Sequence, residues 1–321
     1  MFRGMSSPAP NEDYPATMIE FERRFATEEA CRRYLETLRW PAGFRCPSCK
    51  GTEAWRTKRG PWFCASCKRQ TSVTAGTIFD GTRKPLRLWF RILWLVTSPK
   101  TGGSALGLKR QLGFRRYETA WIWLHKLRRA MIRPGRDRLT GEVEVDETYV
   151  GGVEAGKTGR ERGNKALVAV AAQIDGKGIG RIRLRRIRDA SSRNLEPFVK
   201  ESVEPGTAVI TDGWEGYAGL REAGYKHKTR LVKGSGKDAA TLLPRVHRVT
   251  SLLKRWLLGT HQGAVRGEYL DYYLDEFTFR FNRRNSQHRG KLFYRLLQQA
   301  VAVEPISWDQ IASPGRSKHN G

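Results

Sequence analysis

The chain has 321 residues, with 59 lysines and arginines against 32 aspartates and glutamates, for a formal net charge of +27. That length holds one large domain with one or two small ones, and the positive surplus points to a polyanionic partner while saying nothing of fold. The basic residues are spread along the chain among Trp, Tyr and Phe, as in a protein that touches nucleic acid at several places. A basic membrane-surface protein is the competing reading. Against it, the apolar run from Leu86 to Val96 is interrupted by Arg87 and Arg91 and falls short of the roughly 18 residues of a spanning helix, so no membrane partner is expected.

Residues 1–17 are rich in Pro, Ser and Ala and lack the apolar segment of a secretory signal, so a disordered leader on a cytoplasmic protein is expected. Residues 18–40 follow as an N-terminal helix, with Phe21, Phe25, Cys31, Tyr34, Leu35 and Leu38 at helical spacing and Thr27 before Glu28 and Glu29 marking the start of a second part. Cys31 is expected to be a small core residue. In the segment 41–82, Cys46-Pro-Ser-Cys49 and Cys64-Ala-Ser-Cys67 form two C-x-x-C pairs with fourteen residues between them. Four soft thiolates with no spare ligand describe structural zinc in a ribbon too small to have its own core; two disulfides or four free thiols are the alternative. Arg56, Lys58, Arg59, Lys68 and Arg69 surround the knuckles and suit phosphate contacts.

Residues 83–133 are helical again. Pro85 opens a helix with Leu86, Trp89, Phe90, Leu93 and Trp94 on its apolar positions, and residues 98–103 end it. A short helix over 104–112, a turn at Gly113 and a helix over 117–131 make a helix-turn-helix pattern. Leu106, Leu108, Leu112, Ala120, Trp123, Leu124 and Leu127 supply a shared core; Arg115, Arg116, Tyr117, Thr119, Trp121 and Lys126 are left for the groove and backbone of double-stranded DNA. His125 is expected as a surface or cap group. An ordinary helical hairpin with a basic face fits the same pattern.

The polar stretch 133–140 marks a domain boundary. Beyond it the period changes to two. Strands are expected over 142–150, 166–174, 180–187, 208–211 and 226–232, and helices over 191–203 and 213–223, with residues 239–302 mostly helical. This order is that of an α/β domain with an RNase-H-like mixed sheet flanked by helices, expected to occupy 134–302 ahead of a tail at 303–321. The Gly- and Lys-rich segment between the first two strands is expected as a hairpin or loop.

Two acids stand out. Asp146 lies inside a strand in Val143-Glu-Val-Asp-Glu-Thr-Tyr-Val-Gly-Gly152, and Asp212 follows a buried strand in Ile210-Thr-Asp-Gly-Trp-Glu-Gly-Tyr217. Carboxylates are rarely placed so without a compensating ion, and two on adjacent strands can hold divalent metals for phosphodiester chemistry. Either alone also fits a cap or turn residue. These pieces, with CPSC…CASC, HRVTSLLKRWLLGTH and YLDEFTFRFNRR in that order, resemble insertion-sequence transposases of the RNase-H-like superfamily that carry an N-terminal zinc ribbon. The likeness runs from about residue 20 to 300.

In most of that superfamily the third metal-binding group is a Glu with a Lys or Arg seven residues later. Here Lys254 takes the basic position and His247 stands seven residues before it. The resemblance therefore implies a subgroup with an Asp-Asp-His-Lys set, in which Asp146, Asp212 and His247 ligate Mg²⁺ or Mn²⁺ and Lys254, two helical turns on, holds a DNA phosphate. Glu144 shares a strand face with Asp146 and is an alternative extra carboxylate. Glu276 is another candidate for the third ligand, pairing with Arg280 at helical spacing being the favoured reading. Arg280, Arg283 and Arg284 suit phosphate contacts, as do Lys226, His227, Lys228 and Arg230, a solvated face being the alternative for both; Asp189 and Glu215 are expected as cap or surface groups.

The implied function is DNA transposition: recognition of terminal inverted repeats, hydrolysis at the element's ends and strand transfer, by a homodimer or higher oligomer. A zinc-ribbon regulator, an inactive domesticated transposase and a structure-specific nuclease of the same fold are the rivals.

Overall fold

The computed structural model describes residues 12–133, 135–151, 165–231, 239–263 and 265–312. The chain packs as two compact units, one of residues 1–133 with 285–321 and the other of residues 134–284. The segment between the first two strands of the second unit lies largely outside the described residues.

In the first unit, α1 (Met18–Arg24) and α2 (Glu28–Arg39) each begin on a threonine, Thr17 and Thr27, whose hydroxyl accepts the N–H of the residue three further on. The second cap breaks the helical run in two. The ribbon is a small antiparallel sheet of β1 (Ala54–Arg56), β2 (Trp62–Cys64) and β3 (Gln70–Thr71). Next come α3 (Leu86–Thr97), α4 (Ala105–Leu112) and α5 (Tyr117–Ala130). Ser104 caps α4, and Gly113, at φ +66°, turns the chain out of it in the left-handed conformation that glycine adopts without strain. Trp89 of α3 and Trp123 of α5 stack with centroids 3.8 Å apart. Two core assignments differ from expectation. Leu106 is 44% exposed, because Leu108, two residues on, takes the buried side of so short a helix. His125 is fully buried against the ring of Trp121, 4.0 Å away, so it is no surface group.

The second unit holds β4 (Glu142–Val150), β5 (Ala166–Asp175), β6 (Gly178–Ile187), α6 (Ser192–Ser202), β7 (Ala208–Thr211) and β8 (Lys226–Thr229). Strand order is β6-β5-β4-β7-β8, with the first three antiparallel and β7 and β8 parallel to β4, an RNase-H-like mixed sheet. After α7 (Ala239–Leu242), the helices α8 (Pro244–His261) and α9 (Leu270–Phe281) cover one face of the sheet. Helix α6 and a 3-10 turn at Glu215–Leu220 cover the other. Because β5 is covered on both sides, its sequence is an unbroken apolar run from Ala166 to Ala172. The helix expected over 213–223 shortens to that turn. Three glycines weaken it, and a side chain at Gly216 would meet the Ala190 carbonyl at 2.4 Å.

The chain then returns to the first unit as α10 (Arg289–Ala300) and α11 (Trp308–Ala312). Phe293 is fully buried among the rings of Phe21, Phe25, Phe90 and Trp94. The second domain, expected to reach residue 302, therefore gives up α10. Residues 12–17, expected within the leader, are packed instead: Tyr14 is buried against His288 and Tyr294, Glu12 pairs with Lys291 at 2.8 Å, and Pro15 lies against Gly290. Residues 1–11 lie outside the described residues. Among the described residues no helix is long and apolar enough to cross a membrane.

Candidate metal centres

In the ribbon, the sulfurs of Cys46, Cys49, Cys64 and Cys67 all lie within 4.8 Å of one another. The two knuckles are copies of one another. After each second cysteine a lysine, Lys50 or Lys68, adopts a left-handed φ of 66° or 60°, and its amide donates to the carbonyl of the first cysteine at 2.9 or 3.0 Å. The amides of Cys49 and Ser48 outweigh burial and pull the Cys46 thiol down to about 6; the amide of Cys67 likewise lowers Cys64. Amides aimed at sulfur favour thiolates, and four convergent thiolates make a closed tetrahedral site for structural zinc. Cys31 is buried in α2, as expected of a core residue. Arg56 is held by Glu29 at 2.9 Å and by Glu36, so it fastens the ribbon to α2 and is not turned outward to phosphate.

In the second unit, the parallel pairing of β4 with β7 runs Glu142 to Ala208, Val143 to Val209 and Glu144 to Ile210. Continuing that register places Asp146 level with Asp212, just past the last paired residues. On β4, Glu144 is fully buried and accepts the amides of Arg245 (2.7 Å) and Val246 (3.1 Å) and the Arg245 guanidinium (3.3 Å). It caps α8, whose first residue, Pro244, offers no N–H. The alternative of Glu144 as a metal ligand is thereby answered: its oxygens are taken up, and its work is to seat α8 over β4.

One turn into α8, His247 Nε2 lies 3.6 Å from Asp146 Oδ2, with no hydrogen-bond partner although the atom is buried. That is too long for a hydrogen bond but suits two ligands of one ion. Burial, then the charges of Glu147 and Asp212, push the Asp146 carboxyl up to about 7. Asp212 Oδ1 also accepts the Trp214 amide at 2.9 Å, the turn role open to it from the sequence. Lys254 follows on α8, its ammonium held below the usual value by partial desolvation and then by the charge of Lys165. Among the described residues, only the four cysteines close to single-ion spacing; the acid and imidazole groups do not converge so far.

Two residues were missed at sequence level. The Tyr217 hydroxyl, fully buried, donates to Glu147 Oε2 at 2.9 Å, and the Glu147 amide donates to Asp146 Oδ1 at 2.9 Å. Both lie inside the quoted motifs, yet no spacing rule says that they meet.

Of the expected DNA contacts, Arg115 and Arg116 are exposed at the start of α5, while Thr119 and Lys126 are half-buried. Burial lowers the Lys126 ammonium, opposed by Asp80. The C-terminal arginines of α9 differ from expectation. Arg280 is 9% exposed and ion-paired with fully buried Glu276 at 2.7 Å, so it is committed to the core and cannot reach phosphate. Arg283 lies 4.0 Å over the Phe279 ring and donates to the Phe279 carbonyl. Arg284 donates to the carbonyls of Ile179, Gly180 and Phe281, and Asn282 bonds both ways to Ile182. Together Asn282 and Arg284 cover the free edge of β6.

A mixed sheet in this order flanked by helices, following a four-cysteine ribbon, is an RNase-H-like domain preceded by a zinc ribbon; Asp146 in mid-β4 lies level with Asp212 just past β7, and His247 of α8 faces Asp146. Residues 138–282 match the ISXO2-like transposase domain and residues 26–70 the transposase zinc-ribbon domain. The chain therefore carries, in this order, a zinc-ribbon domain and a transposase domain of the insertion-sequence kind. A relative from Halobacterium salinarum, described as an uncharacterized protein in transposable element ISH50, is 26% identical over 282 residues, covering 80% of this chain and 92% of the relative.

Proposed function

We propose that this chain is a DNA transposase that binds the terminal inverted repeats of an insertion sequence and carries out hydrolysis and strand transfer of DNA phosphodiesters. The observation that carries the catalytic reading is the buried, unpartnered His247 Nε2 facing Asp146 Oδ2 at 3.6 Å. A neutral imidazole nitrogen and a carboxylate oxygen so placed, beside the Asp212 carboxylate, fit Mg²⁺ or Mn²⁺. Such ions supply Lewis acidity at the scissile phosphate and a water or 3′-hydroxyl that is acidic enough to attack.

The protein's own part follows from the site. Asp146 must shed its raised proton to ligate, and Asp212 adds a second negative oxygen from the neighbouring strand. His247 supplies a neutral donor, which leaves the ligand set one charge poorer than three carboxylates. Lys254, on the same helix, holds a phosphate by charge alone. Arg115, Arg116, Thr119 and Lys126 on the α4–α5 pair contact the repeat, with the exposed ribbon cations Lys58, Arg59, Lys68 and Arg69 on the backbone. Pairing two element ends calls for a homodimer or larger assembly, in the cytoplasm and on the nucleoid.

The test is Mg²⁺- or Mn²⁺-dependent nicking of a duplex that carries the element's end, followed by joining to a target. Wild type is expected to nick and join; Asp146→Ala and His247→Ala, still binding the end, are expected to lose at least about 100-fold in rate. Equal nicking rates for wild type and Asp146→Ala would overturn this catalytic site, and no nicking by the wild type would leave only a DNA-binding role. Cleavage without joined product would make the protein a nuclease.

A further inference from the structure

The paired part of β4 and β7 stops at Glu144–Ile210, so the ladder hydrogen bonds end before the level of Asp146 and Asp212. Past that point nothing in the ladder fixes the distance between the two carboxylates. The next link is a side-chain bond. Tyr217 stands in the 3-10 turn that directly follows Asp212, and its hydroxyl donates at 2.9 Å to Glu147, the residue directly after Asp146. Tyr217 is fully buried in the core that faces α6, so its ring is fixed by packing. The Glu147 amide in turn donates to Asp146 Oδ1 at 2.9 Å, and Asp212 Oδ1 accepts the Trp214 amide at 2.9 Å within the turn that leads to Tyr217. The Trp214 indole is itself tied down, donating to the Ala190 carbonyl at 2.7 Å.

We infer that Glu147 and Tyr217 are positioning residues: their hydrogen bond clasps the middle of β4 to the chain leaving the end of β7, where the β4–β7 ladder gives out, and so sets the separation of Asp146 and Asp212. Alternation along β4 puts Asp146 on the face covered by α8 and Glu147 on the opposite face, with Tyr217. Glu147 therefore acts through Asp146 and not as a ligand beside it. A clasp of this kind is worth having at a site whose two carboxylates repel until a cation joins them, because the open site otherwise widens. The inference rests on the proposed metal site. Outer partners that orient ligands are commonly worth 10- to 100-fold in metal affinity.

The experiment uses the full zinc-loaded chain and Mn²⁺ as the probe. Mn²⁺ binding is read by electron paramagnetic resonance and by calorimetry, and the Mn²⁺ dependence of nicking is read as half-saturating metal against maximal rate. Tyr217→Phe is expected to weaken Mn²⁺ binding about 10-fold or more and raise half-saturating Mn²⁺ to match, with the maximal rate recovered at high metal and duplex binding unchanged. Glu147→Gln keeps an oxygen for the tyrosine hydroxyl and is expected to stay near wild type; Glu147→Ala is expected to follow Tyr217→Phe. Should Tyr217→Phe unfold, the Gln and Ala variants at 147 decide the matter alone. Wild-type Mn²⁺ affinity in Glu147→Ala overturns the clasp. So does equal damage in Glu147→Gln and Glu147→Ala, which would make Glu147 a ligand by charge. Asp146→Asn serves as the control: if it binds Mn²⁺ as wild type does, the metal site itself is refuted and not merely the clasp.

Discussion

Asp146→Asn should make the metal-free protein more stable above neutral pH. Burial first, and then the charges of Glu147 and Asp212, raise the Asp146 carboxyl from 3.8 to about 7. The folded state thus holds this proton more tightly than the unfolded chain does. The penalty is absent below about pH 4, builds as pH rises and is complete above about 7. The rise from 3.8 to about 7 sets an upper bound of ~4 kcal/mol. The side chain is 16% exposed, so solvent screening removes only part of that. Asparagine keeps the shape and cannot ionise, and so escapes the penalty. Urea unfolding of the zinc-loaded chain, in magnesium-free buffer and without chelator so that the ribbon keeps its ion, should show little difference at pH 4. By pH 8 the variant should lead by a few kcal/mol. Adding Mn²⁺ at pH 8 should close the gap from the wild-type side only. Parallel pH profiles for the two proteins would refute the placement of Asp146 in a buried, negatively charged site.

Three further outcomes follow from the packing. Cys46→Ser opens the closed thiolate set; one zinc equivalent should leave the ribbon on dialysis, read by atomic absorption, with β1–β3 losing hydrogen-exchange protection. Glu144→Ala strips the α8 cap and leaves the Arg245 guanidinium without its buried partner, at an expected cost of about 3–5 kcal/mol in urea unfolding, whereas Glu144→Gln keeps one acceptor and costs less. Gly290→Ala would drive a methyl to 1.6 Å from the Pro15 carbonyl; the N-terminal segment should lift away and become protease-sensitive near Tyr14, with a loss of about 1–3 kcal/mol.

Much of the fold was written locally. Strand β4 has the bounds that its alternation and flanking glycines suggest, β7 those of a short buried run, and Ser104 and Gly113 bracket α4 as cap and stop. The zinc knuckles are also local, since each is closed by a turn within six residues. What was not legible depends on partners far along the chain. Phe293 looks like any apolar helix residue until Phe21, Phe90 and Trp94 surround it, and only that cluster moves α10 out of the second unit. Arg280 belongs to a basic run that suits DNA, but the neighbouring turn of α9 brings a buried carboxylate to it. The i to i+4 spacing to Glu276 does predict that pair; what it leaves open is that the carboxylate is fully buried, so that Arg280 cannot also reach phosphate. Glu147 and Tyr217 needed the β4–β7 register, which no single-strand pattern supplies.

The two candidate metal centres differ in a way that follows from their ligands. In the ribbon, backbone amides favour thiolates at Cys46 and Cys64 and four sulfurs converge, so an ion there would be fully enclosed and its binding energy would become folding energy. In the metal site proposed for the transposase domain the candidate ligand atoms are held farther apart, burial raises the Asp146 carboxyl to about 7, and a ligating imidazole would add no negative charge. A site of that kind leaves coordination positions for oxygens from outside the protein, as a phosphodiester would provide. Such a site is expected to bind metal weakly on its own, because burial and proton loss at Asp146 both oppose the ion. Metal occupancy should therefore rise when DNA is present, the phosphate supplying the negative oxygens that a histidine in place of a glutamate withholds.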